Sequence, residues 1–584
     1  MKHQLLLTFN AIGCLIIFLL TYLTLLPVET QCAECELWMT GGISVIYILG
    51  GVMFIASHKI MRITVADIII LMWFCFYIGI VWTEKEYPCR MQFIGVLVMF
   101  LLYFSLRILF SMISLSSWLL VICFIVCGCY EAIMGLEQMI NGTSRHSLYL
   151  LTGNFLNPGP YSAYLMTGLA IGIVTIQKVG NMKLLDIVFI DMPRRITIIL
   201  KKIEIRQVLL VAILLMAMVI PSTWSRASFV SIGLICLFVY RKYYWRYKYF
   251  VLGLLTLTGL LLYFVKQGSA DGRMMIWQAA LVTWTSCPWL GVGVGGFCHA
   301  VADGMSCLHE CGVDLSAAGV TDNAYNIFLK IIVEQGIVGA VFALSLCGAT
   351  MISLWKCNQP LFYGIVSLLV FSMFSYPLDL LPYKIIVVMT VAWSETSNGK
   401  TLFELCWLRS LLLAVIFAFA GKQALDILGE RYEADRIYSN FKGVNNDVFL
   451  EDYYELLSQK ADDAAFLFDY GKILRESRRY NDSNDILHRG ILCSADPMFY
   501  VLQGNNYKDL VHYDLAEKAY KKAFAVMPNR LYPLYQLMVL YKETGNIVKS
   551  KEVAIEILDI RPKVESEATK EMKSIALKLI NSDL

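Results

Sequence analysis

Charged side chains are scarce in this chain. Asp, Glu, Lys and Arg make up 16% of its 584 residues, hydrophobic residues make up 58%, and the mean hydropathy is +0.61. A soluble protein carries about 25% charged residues, so a soluble globular chain is excluded and a polytopic membrane protein is what remains. Nothing at the N-terminus reads as a cleavable leader. The apolar run at 5–26 is long, has only a short basic lead and has no small-residue cleavage site before Pro27, so it reads as a first span. No charge in mid-span and no broken helix are evident, which argues against a transporter.

What is present in quantity is apolar runs of spanning length. A bilayer needs about 20 mainly apolar residues per helix, and candidate spans fall at 5–26, 41–56, 66–82, 93–113, 117–136, 160–176, 206–221, 227–240, 248–265, 326–354, 362–377, 383–394 and 407–421. The expected fold is therefore an all-α membrane bundle of about 12–13 spans, occupying residues 1–425. Lys and Arg collect in cytoplasmic loops. Residues 178–206 hold seven, 241–248 hold four and 57–62 hold two, which places those loops and the N-terminus inside. The loops 27–40, 83–92, 137–159, 266–325 and 377–382, and everything after Leu425, then lie outside, the expected location being a bacterial inner membrane. Cys32, Cys35, Cys89, Cys298, Cys307 and Cys311 share that outer side, where disulfides persist. The string "CHAVADGMSCLHEC" lacks a CxxC pair and a second matched half, so a disulfide or free thiols fit it better than zinc.

Spanning runs stop after residue 425. Residues 430–584 read as a soluble α-helical repeat domain of about 150 residues, long enough for its own core. Three phrases there follow one template of paired amphipathic helices closed by Pro497, Pro528 and Pro562, near the 34-residue tetratricopeptide period, with Ala516, Ala519, Ala523, Tyr541 and Gly545 as signature matches. Such arrays offer a concave surface to a peptide or protein partner. The plainer alternative is that the array only packs on the membrane domain.

Chemistry in such a chain shows as polar residues where a bilayer makes them expensive. Four outer-side stretches qualify. In "TGNFLNPGPYSAYL" and just before it, Arg145, His146, Asn154 and Asn157 precede a span; taken alone this is a capping loop. In "PSTWSRAS", Arg226 opens a span on the side where Arg is disfavoured, which asks for an anionic partner or for interfacial snorkelling. In "SADGRMMIW", Asp271 and Gly272 read as a helix start, with Arg273 in the first turn and Ile276, Trp277, Ala280, Leu281 and Trp284 forming an apolar face suited to a membrane surface. The "GVGVGGF" that follows reads as a plain turn, since it lacks the strand-to-helix setting of a dinucleotide fingerprint. In "TDNAYNIFLKIIVEQGIVG", Asp322, Tyr325 and Asn326 precede a long span, and Lys330 and Glu334 are spaced to pair on one face.

In this order, "TGNFLNPGPYSAYL", "SRAS", "GRMMIW", "PWLGVGVGGF" and "NAYNIFLKIIVEQGIVG" resemble the O-antigen ligase and polymerase family of bacterial membrane glycosyltransferases, over about residues 60–395 with a large periplasmic loop at 266–325. The resemblance implies transfer of a preassembled glycan from a polyprenyl (undecaprenyl) diphosphate carrier to an acceptor at the periplasmic face. It implies no nucleotide sugar, no required metal and no cofactor, and nothing points to nucleic acid. Arg226 and Arg273 match the family's two functional arginines and would clamp the diphosphate, with Arg145 a third basic contact on position alone. Asn154, Asn157, Asn326, Lys330 and Glu334 are the expected substrate contacts, and the opening loop is expected to turn both Asn154 and Asn157 towards the carrier. The family often carries His-Asn where this chain has Tyr325 and Asn326. Tyrosine, with an ordinary pKa near 10, is a poor base, which leaves Asp322, His299, His309, or a step needing little base help. The acceptor could be lipid A core (ligase), another carrier-linked repeat (polymerase) or a protein; a non-enzymatic scaffold presenting repeats is the reading from another class.

Overall fold

The computed structural model describes residues 2–27, 39–43, 61–83, 89–112, 117–179, 204–241, 245–265, 267–317, 319, 323–405, 407–444, 447–562 and 565–581. Twelve of the thirteen expected spans are helices: α1 (Lys2–Leu23), α2 (Val65–Thr83), α3 (Arg90–Met112), α4 (Ser117–Asn141), α5 (Pro158–Val179), α6 (Ile205–Val219), α7 (Arg226–Val239), α8 (Lys248–Val265), α11 (Ile327–Cys357), α12 (Gln359–Ser372), α13 (Leu381–Asn398) and α14 (Trp407–Ser439). Between α8 and α11 come α9 (Gln267–Trp284) and α10 (Phe297–Glu310). Most of the span expected at 41–56, Cys32 and Cys35, and most of the basic segment 178–206 lie outside the described residues. Among the described residues six helices are long and apolar enough to cross a bilayer, and the chain is a multi-pass membrane protein.

Helix α5 is the hub of the bundle, packed on α4, α6, α7 and α12. In lipid, helices gain little from burying apolar surface against each other, so close approach through small residues matters more. Gly128 of α4 and Gly168 of α5 face each other, and the Met216 sulfur fills the space above both. Gly364 of α12 leaves room for Ile171 in the same way.

A buried charge pair sits near one end of the spanning helices. Asp67 and Arg107 form a buried ion pair (2.7 Å) in which Tyr103 Oη donates to the same carboxylate (2.7 Å). Arg107 also donates to Thr396 Oγ1 (2.6 Å) and to the Arg62 carbonyl (2.9 Å). The pair thereby ties α2, α3 and α13 to a short antiparallel ribbon, β1 (Met61–Thr64) with β2 (Thr401–Leu405). Removing one partner strands a buried charge, so Arg107→Ala is expected to cost about 3–5 kcal/mol, with the Asp67→Leu/Arg107→Leu pair costing less than either half alone. Thermal unfolding of the four variants in detergent checks the ordering.

At the other end of the bundle the loops expected to share the outer side come together. Asn154 donates to the Leu25 carbonyl (3.0 Å), Gly295 lies against Cys89, and Lys330 pairs with Asp379 (2.9 Å). The C-terminal helices attach there too. They form consecutive antiparallel pairs, α15 (Leu450–Lys460) to α22 (Glu567–Asn581), in which glycines seat large side chains of the next helix: Gly471 under Leu487, Gly490 under Phe499, Gly504 under Tyr520. They dock on α10 and the loop after it through Lys522–Asp303 (2.8 Å), Asn529 Nδ2 to the Ser316 carbonyl (2.9 Å) and a small apolar patch of Ala302, Ala495 and Val526. A cleft of about 800 Å³ remains beside this contact, lined by His309 and Glu310 of α10 and by Lys518, Phe524, Tyr541 and Glu556 of the C-terminal helices.

Candidate functional site

Pro221 stops α6, and the chain closes a 3₁₀ turn (Ile220–Thr223) before restarting as α7 at Arg226. The joint is Trp224, which adopts the left-handed conformation (φ 49°, ψ 32°). For a bulky residue this costs about 1–2 kcal/mol. It puts Arg226 at the first turn of α7, at the rim of a cavity of about 680 Å³.

The second wall of the cavity is α9. It begins at Gln267, a full turn before the expected start at Asp271, so Arg273 lies in its second turn. The expected membrane-surface face is also reassigned. Ile276, Ala279 and Ala280 bury against Phe297, Ala300, Val301 and Met305 of α10, while Leu281 is exposed. The two helices approach so closely that a Cβ on Gly304 would stand 2.2 Å from the Ala279 carbonyl oxygen. Packed this way, α9 has little freedom to roll, and the direction of Arg273 is fixed by its helix.

The Arg273 guanidinium donates to the Phe374 carbonyl and lies 4.8 Å from the centre of the Tyr325 ring. Tyr376 meets Tyr325 edge to face at 5.7 Å. Burial, then the positive charge of Arg226, holds Arg273 below its ordinary pKa. The two cations are therefore near enough to repel one another, and an anion between them relieves that repulsion. Burial pushes the Tyr376 hydroxyl up to about 12, so it stays a protonated donor.

The third wall is the stretch before α5. Asn157 lines the cavity with Pro158 and Gly159, and its Oδ1 accepts from the Gly159 N–H (2.8 Å). Asn154 is turned away, contrary to expectation. It is buried, and its Nδ2 (2.8 Å) and backbone N–H (3.1 Å) both donate to Glu131, a fully buried carboxylate on α4. Gln138, two turns further along α4, accepts from the N–H groups of Thr152 and Gly153 (2.8 Å each) and donates to the Gly153 carbonyl (2.8 Å). The loop is thus shaped by α4 and offers only its far end to the cavity. Arg145 interacts electrostatically with Glu131 and does not line the cavity.

The remaining candidates separate into supports and outliers. Asn326 caps α11, its Oδ1 accepting from Phe328 (3.1 Å) and Leu329 (3.2 Å) N–H groups. Lys330 pairs with Asp379 rather than with Glu334 as its spacing suggested, and so ties α11 to the loop bearing Phe374 and Tyr376. Glu334 is buried, its Oε1 has no hydrogen-bond partner, and the backbone amides of Gly295 and Phe297 favour its charged form. Asp322 lies outside the described residues. His299 and His309 face the C-terminal helices: His299 pairs along α10 with Asp303 (3.3 Å), itself paired with Lys522 (2.8 Å), and His309 meets Phe524 edge to face at 5.3 Å. Burial holds His299 below its ordinary pKa. Neither lines the cavity. Cys298, Cys307 and Cys311 are free thiols, and among the described residues no three His, Cys, Asp or Glu converge on a metal position.

The glycine-rich strap before α10 is more than a turn. Helix α11 is broken at Gly336 (φ 64°, ψ −164°), and the strap runs along the break. The N–H groups of Val292 and Gly293 donate to the Val333 (2.8 Å) and Glu334 (3.2 Å) carbonyls, and those of Ile337 and Val338 donate back to Pro288 (2.9 Å) and Trp289 (3.3 Å). The break was invisible in the apolar run, although "EQG" marks its place. Tyr149, Trp224 and Ser375 are cavity residues that the sequence reading passed over. The signal for Trp224 was its position two residues before Arg226.

Residues 211–344 match the family model described as O-antigen ligase. The matched segment contains Arg226, Arg273, Tyr325, Asn326, Lys330 and Glu334, and stops short of Arg145, Asn154 and Asn157. A search of curated proteins finds no match.

Proposed function

We propose that this multi-pass membrane chain, whose residues 211–344 match the O-antigen ligase family model, transfers a glycan from a polyprenyl diphosphate carrier to an acceptor at the outer face of a bacterial inner membrane. The match over residues 211–344 supports an activity of the O-antigen ligase and polymerase type. The observation that carries the finer reading is the convergence of Arg226 and Arg273 on one cavity at the end of the bundle.

In the proposed reaction the acceptor hydroxyl oxygen bonds to the anomeric carbon of the glycan as the anomeric C–O bond to phosphate breaks. The electron pair leaves with the carrier diphosphate, and the acceptor proton passes to solvent or to a base. Charge grows on the diphosphate as the bond breaks, and two guanidinium groups already aimed at that point need no reorganisation. Tyr325 and the Phe374 carbonyl hold Arg273 in place. Tyr376, whose hydroxyl stays protonated, suits a hydrogen-bond donor and not a base.

A protein acceptor is favoured by the cleft between α10 and the tetratricopeptide-like C-terminal helices, which is large enough to take an extended peptide. A glycan profile of cells carrying Arg226→Ala, at matched protein level, distinguishes the acceptors. Loss of polymer from lipid A core alone indicates a ligase, shortened chains a polymerase, and loss of protein-bound glycan alone a protein glycosyltransferase. An unchanged profile sinks the diphosphate clamp and leaves the scaffold reading.

A further inference from the structure

The cavity has a direction. Along α7 and the joint before it, Trp224, Arg226 and Val230 succeed one another, and all three line the same space. At 1.5 Å per helical residue, Arg226 and Val230 are about 6 Å apart along the axis, roughly the length of a diphosphate. Beyond the cations the lining is apolar, with Val230 of α7 and Met274 and Ile276 of α9. Before them stands Trp224, 65% exposed and held in a backbone conformation that a bulky residue adopts only when its surroundings impose it. Tyr149 and Asn157 complete that side, and Asn157, whose Oδ1 is taken by the Gly159 N–H, keeps its Nδ2 donor for a ligand.

This order matches a glycan joined through a diphosphate to a prenyl chain. The first sugar is bonded directly to a phosphate, so its ring must lie within a few ångströms of whichever cation holds that phosphate. We infer that Trp224 is the platform on which the first pyranose of the carrier-linked glycan stacks, with Asn157 donating to one of its hydroxyls, and that it is the residue by which the enzyme tells a loaded carrier from a bare one. A pyranose presents axial C–H groups on one face, which suit the negative face of an indole, while its equatorial hydroxyls stay at the rim. The inference rests on the diphosphate reading of Arg226 and Arg273.

The left-handed backbone supplies a decisive variant. Glycine adopts φ near 50° without penalty, so Trp224→Gly removes the ring while relieving the joint, and Trp224→Phe keeps a stacking face. Full-length protein in lipid nanodiscs is titrated with bare polyprenyl diphosphate and with the carrier-linked glycan extracted from cells lacking this protein. Trp224→Gly is expected to unfold no earlier than wild type, to bind the bare carrier unchanged, and to bind the loaded carrier about tenfold more weakly, the scale of one lost aromatic contact. Trp224→Phe is expected to recover most of that loss. Equal weakening towards both carriers would make Trp224 a membrane-interface anchor, and no weakening towards either would make it a structural joint; both outcomes overturn the inference. Arg273→Ala in the same titration tests the premise separately, since undiminished binding of the bare carrier would refute the clamp itself. Wild-type protein that binds neither carrier sinks both.

Discussion

Arg273→Ala is expected to lower glycan transfer by about 10²–10³-fold, the loss seen when one preorganised donor to developing charge is removed, with the folded protein intact. The fold survives because the apolar packing of α9 on α10 runs through Ile276, Ala279 and Ala280 and does not include Arg273. Lysine is not a substitute. The guanidinium spends one N–H on the Phe374 carbonyl and lies over the Tyr325 ring, keeping other donors for the ligand. An ammonium is a compact point charge without that planar fork, so Arg273→Lys should recover little of the activity. Although burial and Arg226 lower its pKa, a guanidinium starts so high that it stays charged throughout the physiological range. The defect should therefore not be rescued by changing pH. On the proposed clamp Arg226 and Arg273 hold one diphosphate, so the double variant should lose much less than the product of the single losses. Single-turnover transfer with carrier-linked glycan checks all of these. Wild-type rates in Arg273→Ala, or strictly multiplicative losses in the double variant, would separate the two arginines from a common task.

Spans were legible from sequence because a bilayer imposes one requirement, length of apolar run, that any window can test. The lining of the candidate cavity was legible only where a residue is set by its own element. Arg226 and Arg273 qualify, since each is set by the helix that carries it. Lys330 does not: its i+4 neighbour Glu334 offered a local partner, yet Asp379 takes the charge from a loop 49 residues away. Asn154 fails for the same reason, because the carboxylate that captures it sits on α4, 23 residues earlier. The early start of α9 was hidden by "GSADG", whose low helix propensity is outweighed by the packing of the later turns on α10. Each miss is a tertiary partner overruling a local pattern.

The same distinction identifies the position where a single methyl group should do most damage. Gly336 sits at φ 64° and ψ −164°, a region open in practice only to glycine. A Cβ there would stand 2.1 Å from the Trp289 carbonyl oxygen and 2.3 Å from its carbon, both backbone atoms that cannot swing aside. Gly336→Ala must therefore either straighten α11 or push the 288–293 strap away. Both routes strip the four strap-to-helix hydrogen bonds that satisfy the broken turn. The expected cost exceeds about 4 kcal/mol, combining the conformational penalty with stranded backbone groups, enough to stop a protein of ordinary stability from accumulating. Gly291→Ala should behave alike from the other side, since its Cβ would come 2.5 Å from the Glu334 backbone. Gly312 is the control: its φ is also positive, at 77°, but nothing lies within 4 Å of its Cβ position, so Gly312→Ala should cost only the conformational share, about 1 kcal/mol. Thermal stability of the three variants by detergent size-exclusion compares the clash directly with the bare dihedral cost. If Gly336→Ala melted with Gly312→Ala, the strap would be a loose cover. If it fell far below, the broken helix is what holds the strap, and through the strap α10, α9 and the direction of Arg273.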